Sequence, residues 1–229
     1  MIRLTIARKL VATRPLYRDF TLQLEAGELV CLLGPSGCGK TTLLNLVAGL
    51  DQDFDGRLEG LDRCRLGYLF QEPRLLPWRT VAENLTLVAP ARADQVERLL
   101  GDLELEGCAA HYPRQLSLGM ARRAALARAL MVEPQLLLLD EPFVSLDPPT
   151  AQAMQRVLQR VRQRYPEMAV LMVSHDVREA LALADRVLVL GGAPTTVRHQ
   201  LSPHPGACAD QRALEERQLL AAYPLSASS

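Results

Sequence analysis

The segment Gly34-Pro-Ser-Gly-Cys-Gly-Lys-Thr-Thr42 decides the fold, because it fits the pattern Gly-x-x-x-x-Gly-Lys-Ser/Thr of a phosphate-binding loop. The apolar run at 29–33 before it predicts a buried strand, and the apolar spacing at 43–50 after it predicts a helix. Glycines let backbone N–H groups close around phosphate oxygens, and the start of a helix adds partial positive charge. This setting predicts a nucleotide-binding site.

Each residue type in the loop has a chemical reason. We expect the Lys40 ammonium to reach the β- and γ-phosphates of ATP and the Thr41 hydroxyl to bind Mg²⁺. Cys38 lies at a helix N-terminus, which should lower the pKa of its thiol, but we interpret it as a small filler residue. The residues expected to contact the nucleotide are Gly34, Pro35, Ser36, Gly37, Cys38, Gly39, Lys40, Thr41 and Thr42.

The overall composition narrows the class of protein. The 229 residues are 48% hydrophobic but only 4% aromatic, which fits an aliphatic α/β protein. Lys+Arg and Asp+Glu both number 26, so no charge excess indicates a nucleic-acid surface. The cysteines lack metal-ligand spacing, which suits reduced thiols. No apolar run approaches the ~20 residues that span a bilayer, and the N-terminus does not resemble a signal peptide. Any membrane part is therefore expected on another chain.

Four further segments follow the loop along the chain. They are Tyr68-Leu-Phe-Gln-Glu-Pro73, Leu116-Ser-Leu-Gly-Met120, Leu136-Leu-Leu-Leu-Asp-Glu-Pro142 with Ser145-Leu-Asp147, and Val170-Leu-Met-Val-Ser-His175. Together with the phosphate loop, this ordered set resembles the ATP-binding subunits of ABC transporters. The resemblance extends from Leu4 to Leu190 and therefore covers most of the chain.

The alternation of short apolar stretches with longer helical patterns predicts an α/β fold with a parallel sheet wrapped by helices. The resemblance implies an ABC-type ATP-binding domain over 1–200 with a P-loop NTPase core at 1–72 and 133–200. It also implies an antiparallel β part near the N-terminus and an inserted helical subdomain at 73–132. Residues 201–229 form a C-terminal tail, with a short helix expected at 210–222 and a frayed Ser-Ala-Ser-Ser end.

The acidic strand supplies two candidate catalytic residues. If its strand neighbours that of the phosphate loop, Asp140 would hold Mg²⁺, directly or through water. Glu141 would then be the general base that polarises the attacking water. The alternative, a pair of solvated carboxylates, is disfavoured by Pro142 and the Ser145-Leu-Asp147 segment that follow.

Three other residues gain roles from the resemblance. Gln71 is similar to the Q-loop glutamine, which touches Mg²⁺ and the lytic water and links the core to the helical subdomain. His175 is similar to the switch histidine that hydrogen-bonds the γ-phosphate, whereas by position alone it would be a core histidine at the end of a buried strand. Asp147 resembles the D-loop aspartate that crosses the dimer interface.

The signature segment departs from the family pattern. Leu-Ser-Gly-Gly-Gln is usual, and this chain has Leu116-Ser-Leu-Gly-Met120. Ser117 and Gly119 are retained, and we expect them to face the partner's γ-phosphate from a helix N-terminus. Leu118 costs backbone freedom if a positive φ is needed there, and Met120 cannot replace the hydrogen bonds of glutamine. These two changes bear on hydrolysis rather than on ATP binding.

The adenine contact is a second departure. The family commonly stacks adenine on an aromatic residue well before the phosphate loop, where this chain has Val11, and its first aromatic residue is Tyr17. Three interpretations stay open: Tyr17 as the stacking platform, Tyr17 packed under the sheet, and Val11 as a plain apolar contact.

The segment after Gln71 bears on partners and cargo. It holds Leu75, Leu76 and Trp78, the only Trp of the chain, which would form an anchor patch for a partner helix if they are exposed together. Burial in the helical subdomain is the alternative. The amino-acid sequence of this segment, and that of 190–197, resembles the corresponding sequences in ATP-binding subunits of importers for nitrate, sulfonate and taurine.

The expected function is ATP hydrolysis that powers import of a small solute. Two copies would form a head-to-tail dimer, with each ATP between one phosphate loop and the other copy's Ser117–Gly119 segment. The dimer would act on separate permease subunits at the cytoplasmic face of the inner (plasma) membrane, as a peripheral component. A periplasmic or extracellular solute-binding protein would be an indirect partner. No nucleic-acid partner is expected; the helix arginines fall on several faces, which favours a solvated, subunit-facing role. These arginines are Arg122, Arg123 and Arg128.

Other functions are weighed against this one. A nucleotide-dependent regulatory or binding module with little hydrolysis is favoured by Leu118 and Met120 and opposed by Glu141 and His175. An exporter or lipid-extraction ATPase is disfavoured by the amino-acid sequence at 75–78. A DNA-repair ATPase is disfavoured because the sequence shows neither a coiled coil nor zinc-binding cysteines.

Overall fold

The structure, a computed structural model, describes residues 1–62, 64–204 and 206–223. The chain divides into two compact units. We call Met1–Arg63 with Ala169–Ser229 the phosphate-loop unit, and Cys64–Met168 the signature unit. The predicted division into 1–72, 73–132 and 133–200 stays a prediction.

The secondary structure alternates between strands and helices. The strands are β1 (Ile2–Val11), β2 (Arg14–Leu24), β3 (Leu29–Leu33), β4 (Asp55–Glu59), β5 (Leu66–Leu69), β6 (Leu136–Asp140), β7 (Ala169–Val173), β8 (Arg186–Gly191) and β9 (Thr196–Leu201). The α-helices are α1 (Lys40–Val47), α2 (Val81–Thr86), α3 (Val96–Asp102), α4 (Leu118–Leu130), α5 (Pro148–Arg164), α6 (Val177–Leu183) and α7 (Ala209–Ala222), and 3₁₀ turns lie at Pro90–Gln95 and Pro113–Gln115. Within the described ranges, no helix combines the length and the apolar character needed to cross a membrane.

The phosphate-loop unit contains an antiparallel sheet in the order β2-β1-β4. Along β1, Ile2, Leu4 and Ile6 are buried while the residues between them are exposed. This alternation is typical of an antiparallel sheet that covers a core with one face and meets water with the other. The antiparallel β part predicted near the N-terminus is therefore confirmed.

The same unit contains parallel strands in the order β7-β3-β8, with β9 added antiparallel to β8. Every residue of β3 and β7 is buried, as expected for parallel strands that are covered on both faces. The strand β3 leads through the phosphate loop into α1. The carboxyl ends of β3 and β7 consequently lie at one edge of the sheet, where ligands bind in open α/β sheets.

The signature unit is built around the parallel pair β5 and β6, whose register runs from Leu66 opposite Leu136 to Leu69 opposite Leu139. The helix α4 packs closely on β5, since a Cβ on Gly67 would lie only 2.5 Å from the carbonyl oxygen of Ala129. The mixture of parallel strands and helices confirms the predicted α/β class.

The C-terminal tail carries the helix α7, close to the predicted 210–222. The predicted frayed Ser-Ala-Ser-Ser end lies outside the described residues.

Candidate active site

The phosphate loop joins β3 to α1 in a conformation that requires two of its glycines. Gly39 caps α1 with φ 98°, and a Cβ there would lie 3.0 Å from the Leu16 side chain and from the Tyr17 hydroxyl. A Cβ on Gly34 would lie 2.7 Å from the Leu190 carbonyl oxygen. A side chain at Gly34 would therefore clash with backbone, and one at Gly39 would be strained by the positive φ and crowded by its neighbours.

The backbone carbonyls of this loop accept hydrogen bonds from side chains of the same unit. The contacts are Lys40 Nζ to Gly34 O (2.7 Å) and to Pro35 O (3.0 Å), Thr195 Oγ1 to Cys38 O (2.8 Å), and the Tyr17 hydroxyl to Gly39 O (3.1 Å). In a planar trans peptide, each N–H points opposite to the preceding C=O. Holding the carbonyls of Pro35, Cys38 and Gly39 therefore turns the N–H group that follows each of them the other way, which is the arrangement that an anion site requires. The carbonyl of Gly34 is different, because the residue after it is proline and has no N–H.

Tyr17 and Cys38 support the loop from inside the unit. Tyr17 is fully buried against Phe20, with ring centroids 4.9 Å apart, and burial raises the pKa of its hydroxyl. Tyr17 therefore packs under the sheet and offers no exposed face to adenine, whereas Val11 is exposed. Burial also raises the pKa of the Cys38 thiol and outweighs the opposing effect of the Lys40 charge. The expectation of a lowered pKa for Cys38 is wrong, because desolvation is the larger effect at this helix N-terminus.

The strand register places His175 beside the start of the phosphate loop. Leu32 pairs with Val173 in the parallel ladder, and the N–H of Ser174 donates to Leu32 O at 3.1 Å. Gly34 and His175 each lie two residues beyond that pair, at the same edge of the sheet. His175 is exposed, so it is not the buried core histidine that its position alone suggests.

In the signature unit, Gln71 and Glu141 follow the ends of two paired parallel strands, at the same edge of the sheet. Leu69 pairs with Leu139, and each of the two polar residues follows two positions later. Asp140, at the end of β6, is only 4% exposed, and its charge adds to burial in raising the pKa of the Tyr68 hydroxyl. This edge of the strand pair therefore carries one buried carboxylate, followed in the chain by the carboxylate of Glu141.

Glu141 lies on a strained turn. Its φ of 47° is uncommon for a residue with a side chain, and such strain is concentrated at functional sites. The turn is held by Arg122, which is 3% exposed and donates from Nη1 to the carbonyl oxygen of Pro142 at 3.1 Å. The predicted solvated role of Arg122 is therefore wrong, because its guanidinium is buried against this turn.

A second arginine of α4 holds the backbone after Gln71. Arg128 donates to the carbonyl oxygens of Arg74 at 2.7 Å and Pro73 at 3.0 Å. Sequence reasoning missed these roles of Arg122 and Arg128, because helical spacing alone gives the face of an arginine but not the carbonyl that it meets. One helix thus positions the segments after both Gln71 and Glu141.

The signature segment begins α4 with ordinary helix geometry. Ser117 is the N-cap, and its hydroxyl accepts a hydrogen bond from the Met120 N–H at 3.3 Å. Leu118 is the first helical residue and is not among the residues with positive φ. The backbone freedom of glycine is therefore not needed at 118, and Leu118 imposes no backbone strain there.

Thr150 joins the signature segment to the D-loop. A Cβ on Gly119 would lie 2.4 Å from the Thr150 methyl group, so a larger residue here would force that side chain to move. Asp147 caps α5 by accepting bonds from the Thr150 hydroxyl at 2.6 Å and the Thr150 N–H at 3.1 Å, and these bonds lower the pKa of Asp147. The Asp-Pro-Pro-Thr sequence signals the cap, but only the structure shows the contact with Gly119.

The predicted anchor patch is partly accessible. Trp78 is 70% exposed, whereas Leu75 and Leu76 are half-buried. Trp78 is thus the most accessible side chain of the three.

Comparison with known proteins agrees with this geometry. A family model described as ABC transporter matches residues 17–144. The aliphatic sulfonates import ATP-binding protein SsuB 2 of Burkholderia cenocepacia (strain HI2424) is 46% identical over 93% of this chain and 82% of its own length. The aliphatic sulfonates import ATP-binding protein SsuB 1 of Pseudomonas aeruginosa (strain UCBPP-PA14) is 47% identical over 91% of this chain and 89% of its own length.

Solved structures give the same result. The dimeric structure of MJ0796, a bacterial ABC transporter cassette, matches with a TM-score of 0.76 at 27% identity, over 90% of this chain and 100% of that chain. The post-hydrolysis state of that cassette, bound to ADP and Pi, matches with a TM-score of 0.75 at the same identity and coverage. These cassettes confirm the predicted P-loop NTPase fold. The chain therefore belongs to the ABC transporter family, as an ATP-binding ATPase subunit.

Proposed function

We propose that this subunit powers the import of an aliphatic sulfonate, or of a related small solute such as nitrate or taurine. The observation that carries the proposal is the identity of 46% and 47% to sulfonate import ATP-binding proteins over more than nine-tenths of the chain. The amino-acid sequence at 71–81 supports assignment to the same group of importers. The cargo does not touch this subunit in the proposed arrangement, so the site geometry supports the ATPase and the relatives support the cargo.

In the proposed site, the loop N–H groups and Lys40 bind the phosphates of ATP. The donors proposed for Mg²⁺ are the Thr41 hydroxyl, the Gln71 amide oxygen and the Asp140 carboxylate, and the buried, acidic end of β6 fits a hard cation that prefers oxygen. When bound, Mg²⁺ supplies charge neutralisation at the phosphates. Glu141 accepts the proton of the attacking water, and His175 donates a hydrogen bond to the γ-phosphate.

Two copies are proposed to bind ATP head to tail. Ser117 is exposed and keeps its own proton as a donor while it caps α4, because a hydroxyl offers one donor and two acceptor sites. Together with Gly119 it is proposed to face the partner's γ-phosphate, and Asp147 to cross the dimer interface. The cassette MJ0796 has a dimeric structure, which supports the association of two copies.

The proposed membrane partners are permease subunits that dock near Trp78, on the cytoplasmic face of the inner membrane. A periplasmic or extracellular solute-binding protein would deliver the cargo to them. The exposed indole supports docking at this place, since burying it against a partner removes a large apolar surface from water.

Growth on defined sulfur sources tests the cargo. Disruption of the gene in its host should abolish growth on an alkanesulfonate as the sole sulfur source and leave growth on sulfate unchanged. Wild-type protein should restore growth, and Lys40→Ala should not. Unchanged growth on alkanesulfonates, taurine and nitrate would overturn the import function in this group of solutes.

A further inference from the structure

The C-terminal helix reaches the phosphate loop through Tyr223. The Tyr223 hydroxyl donates a hydrogen bond to the carbonyl oxygen of Gly34 at 2.9 Å, across 189 positions of sequence. The same oxygen accepts a hydrogen bond from Lys40 Nζ at 2.7 Å. A carbonyl oxygen has two lone pairs, so the first carbonyl of the loop is shared between the lysine and the C-terminal tyrosine.

Tyr223 lies on the side of α7 that carries the buried residues of this helix. Glu215 and Leu219 are buried, and with Tyr223 they recur every four residues, which places them on one side of the helix. The Glu215 carboxylate accepts a hydrogen bond from the His204 N–H at 3.1 Å and lies 2.8 Å from Nδ1 of its ring. The position of Tyr223 is therefore set by a buried row of side chains.

A second contact of α7 lies on its exposed side. Glu216 accepts a hydrogen bond from Arg178 Nε of α6 at 3.0 Å, and Arg178 is largely exposed. Exposed ion pairs contribute little to stability. Glu216 therefore provides a matched control on the same helix, away from the buried row.

We propose that Tyr223 is a positioning residue of the ATP site. Its hydroxyl holds the Gly34 carbonyl that accepts the hydrogen bond of the Lys40 ammonium, and the C-terminal helix is thereby part of the phosphate site. The inference rests on the proposed phosphate-binding role of Lys40 and goes beyond it, because no motif of the sequence includes Tyr223. With the tyrosine hydroxyl in place, the loop carbonyl stays directed towards the lysine. Without it, one of the two donors on this oxygen is lost and the lysine is less well oriented for phosphate.

The test removes only the hydroxyl. Tyr223→Phe keeps the ring, and we expect it to weaken ATP binding about three- to tenfold, in line with one hydrogen bond. The rate of hydrolysis at saturating ATP should change little, because Glu141 and the water do not depend on Tyr223. Glu216→Gln should bind ATP like wild type. Equilibrium titration with a fluorescent ATP analogue gives the affinities, and thermal unfolding of each variant shows whether the fold is retained.

The decisive readout is the coupling to Lys40. In a Lys40→Ala background, Tyr223→Phe should have no further effect on ATP affinity, because no ammonium remains to be oriented. An unchanged affinity of Tyr223→Phe in the wild-type background would overturn the inference, as would an equal loss in both backgrounds. If Lys40→Ala itself binds ATP like wild type, the proposed phosphate site fails, and the inference fails with it.

Discussion

The phosphate loop and the signature segment both begin a helix, yet they are built in different ways. The loop carbonyls are held by donors of the same unit, and Gly34 and Gly39 have no space for a side chain. The signature segment begins α4 with an ordinary serine cap, and Ser117 and Leu118 are exposed. Only Gly119 is confined there, by the Thr150 methyl group.

This difference indicates where a change of sequence matters to the isolated chain. A side chain at Gly34 would disturb packed backbone, because its Cβ would lie 2.7 Å from the Leu190 carbonyl oxygen. Leu118 stands where the family pattern has glycine, at a position where the backbone is helical and the side chain is exposed. The departure from the family pattern is therefore compatible with the local fold, and we expect its effect at contacts with a second copy.

The largest effect is expected from Glu141→Gln. The amide cannot accept the proton of the attacking water, so phosphate release at saturating ATP should fall by about 10²–10⁴. ATP affinity should stay near that of wild type, since the phosphate loop is untouched, and the dimer should persist with ATP and Mg²⁺. A variant that hydrolyses ATP at the wild-type rate would show that Glu141 is not the base.

A smaller effect, on binding, is expected from Lys40→Ala. This change removes both hydrogen bonds to loop carbonyls and leaves the phosphate charge without its ammonium. We expect ATP affinity to fall at least about tenfold, or ~1.4 kcal/mol, when measured with a fluorescent ATP analogue. Ser117→Ala is the matched change in the signature segment, and its effect on binding to the monomer should be negligible.

The smallest effect tests the one confined position of the signature segment. Gly119→Ala places a Cβ against the Thr150 methyl group, so we expect a loss of about 1 kcal/mol in the free energy of unfolding in urea. Thr150→Ser removes that methyl group and keeps the hydroxyl that Asp147 binds. The double variant should recover most of the loss. Equal losses in the single and double variants would contradict the proposed clash.

Much of the site follows from short motifs, because contiguous residues fix their own geometry. Local sequence patterns predict the strand, loop and helix around Lys40. They also predict the strands that end near Glu141 and His175, and parallel pairing then places each of these residues at an edge of a sheet. The adenine contact could not be settled in this way, since burial of Tyr17 depends on packing within the whole unit.

The sequence was less informative where a long-range contact decides the role. Arg122, 20 positions from its partner carbonyl, and Tyr223, 189 positions from Gly34, carry no local signal of what they hold. Cys38 shows a competition between two physical effects, in which burial outweighs the helix N-terminus. Leu118 occupies a position where the family pattern has glycine, yet its backbone does not adopt a positive φ.

The altered signature segment belongs to a working ATPase. Steady-state phosphate release by the purified subunit with its permease partners tests it most directly, for wild type and for Leu118→Gly with Met120→Gln. We expect a wild-type turnover of about 1 s⁻¹ or faster and a change of no more than about twofold in the double variant. A wild-type rate near background that rises several-fold or more on restoring the two residues would show instead that the chain is a regulatory module.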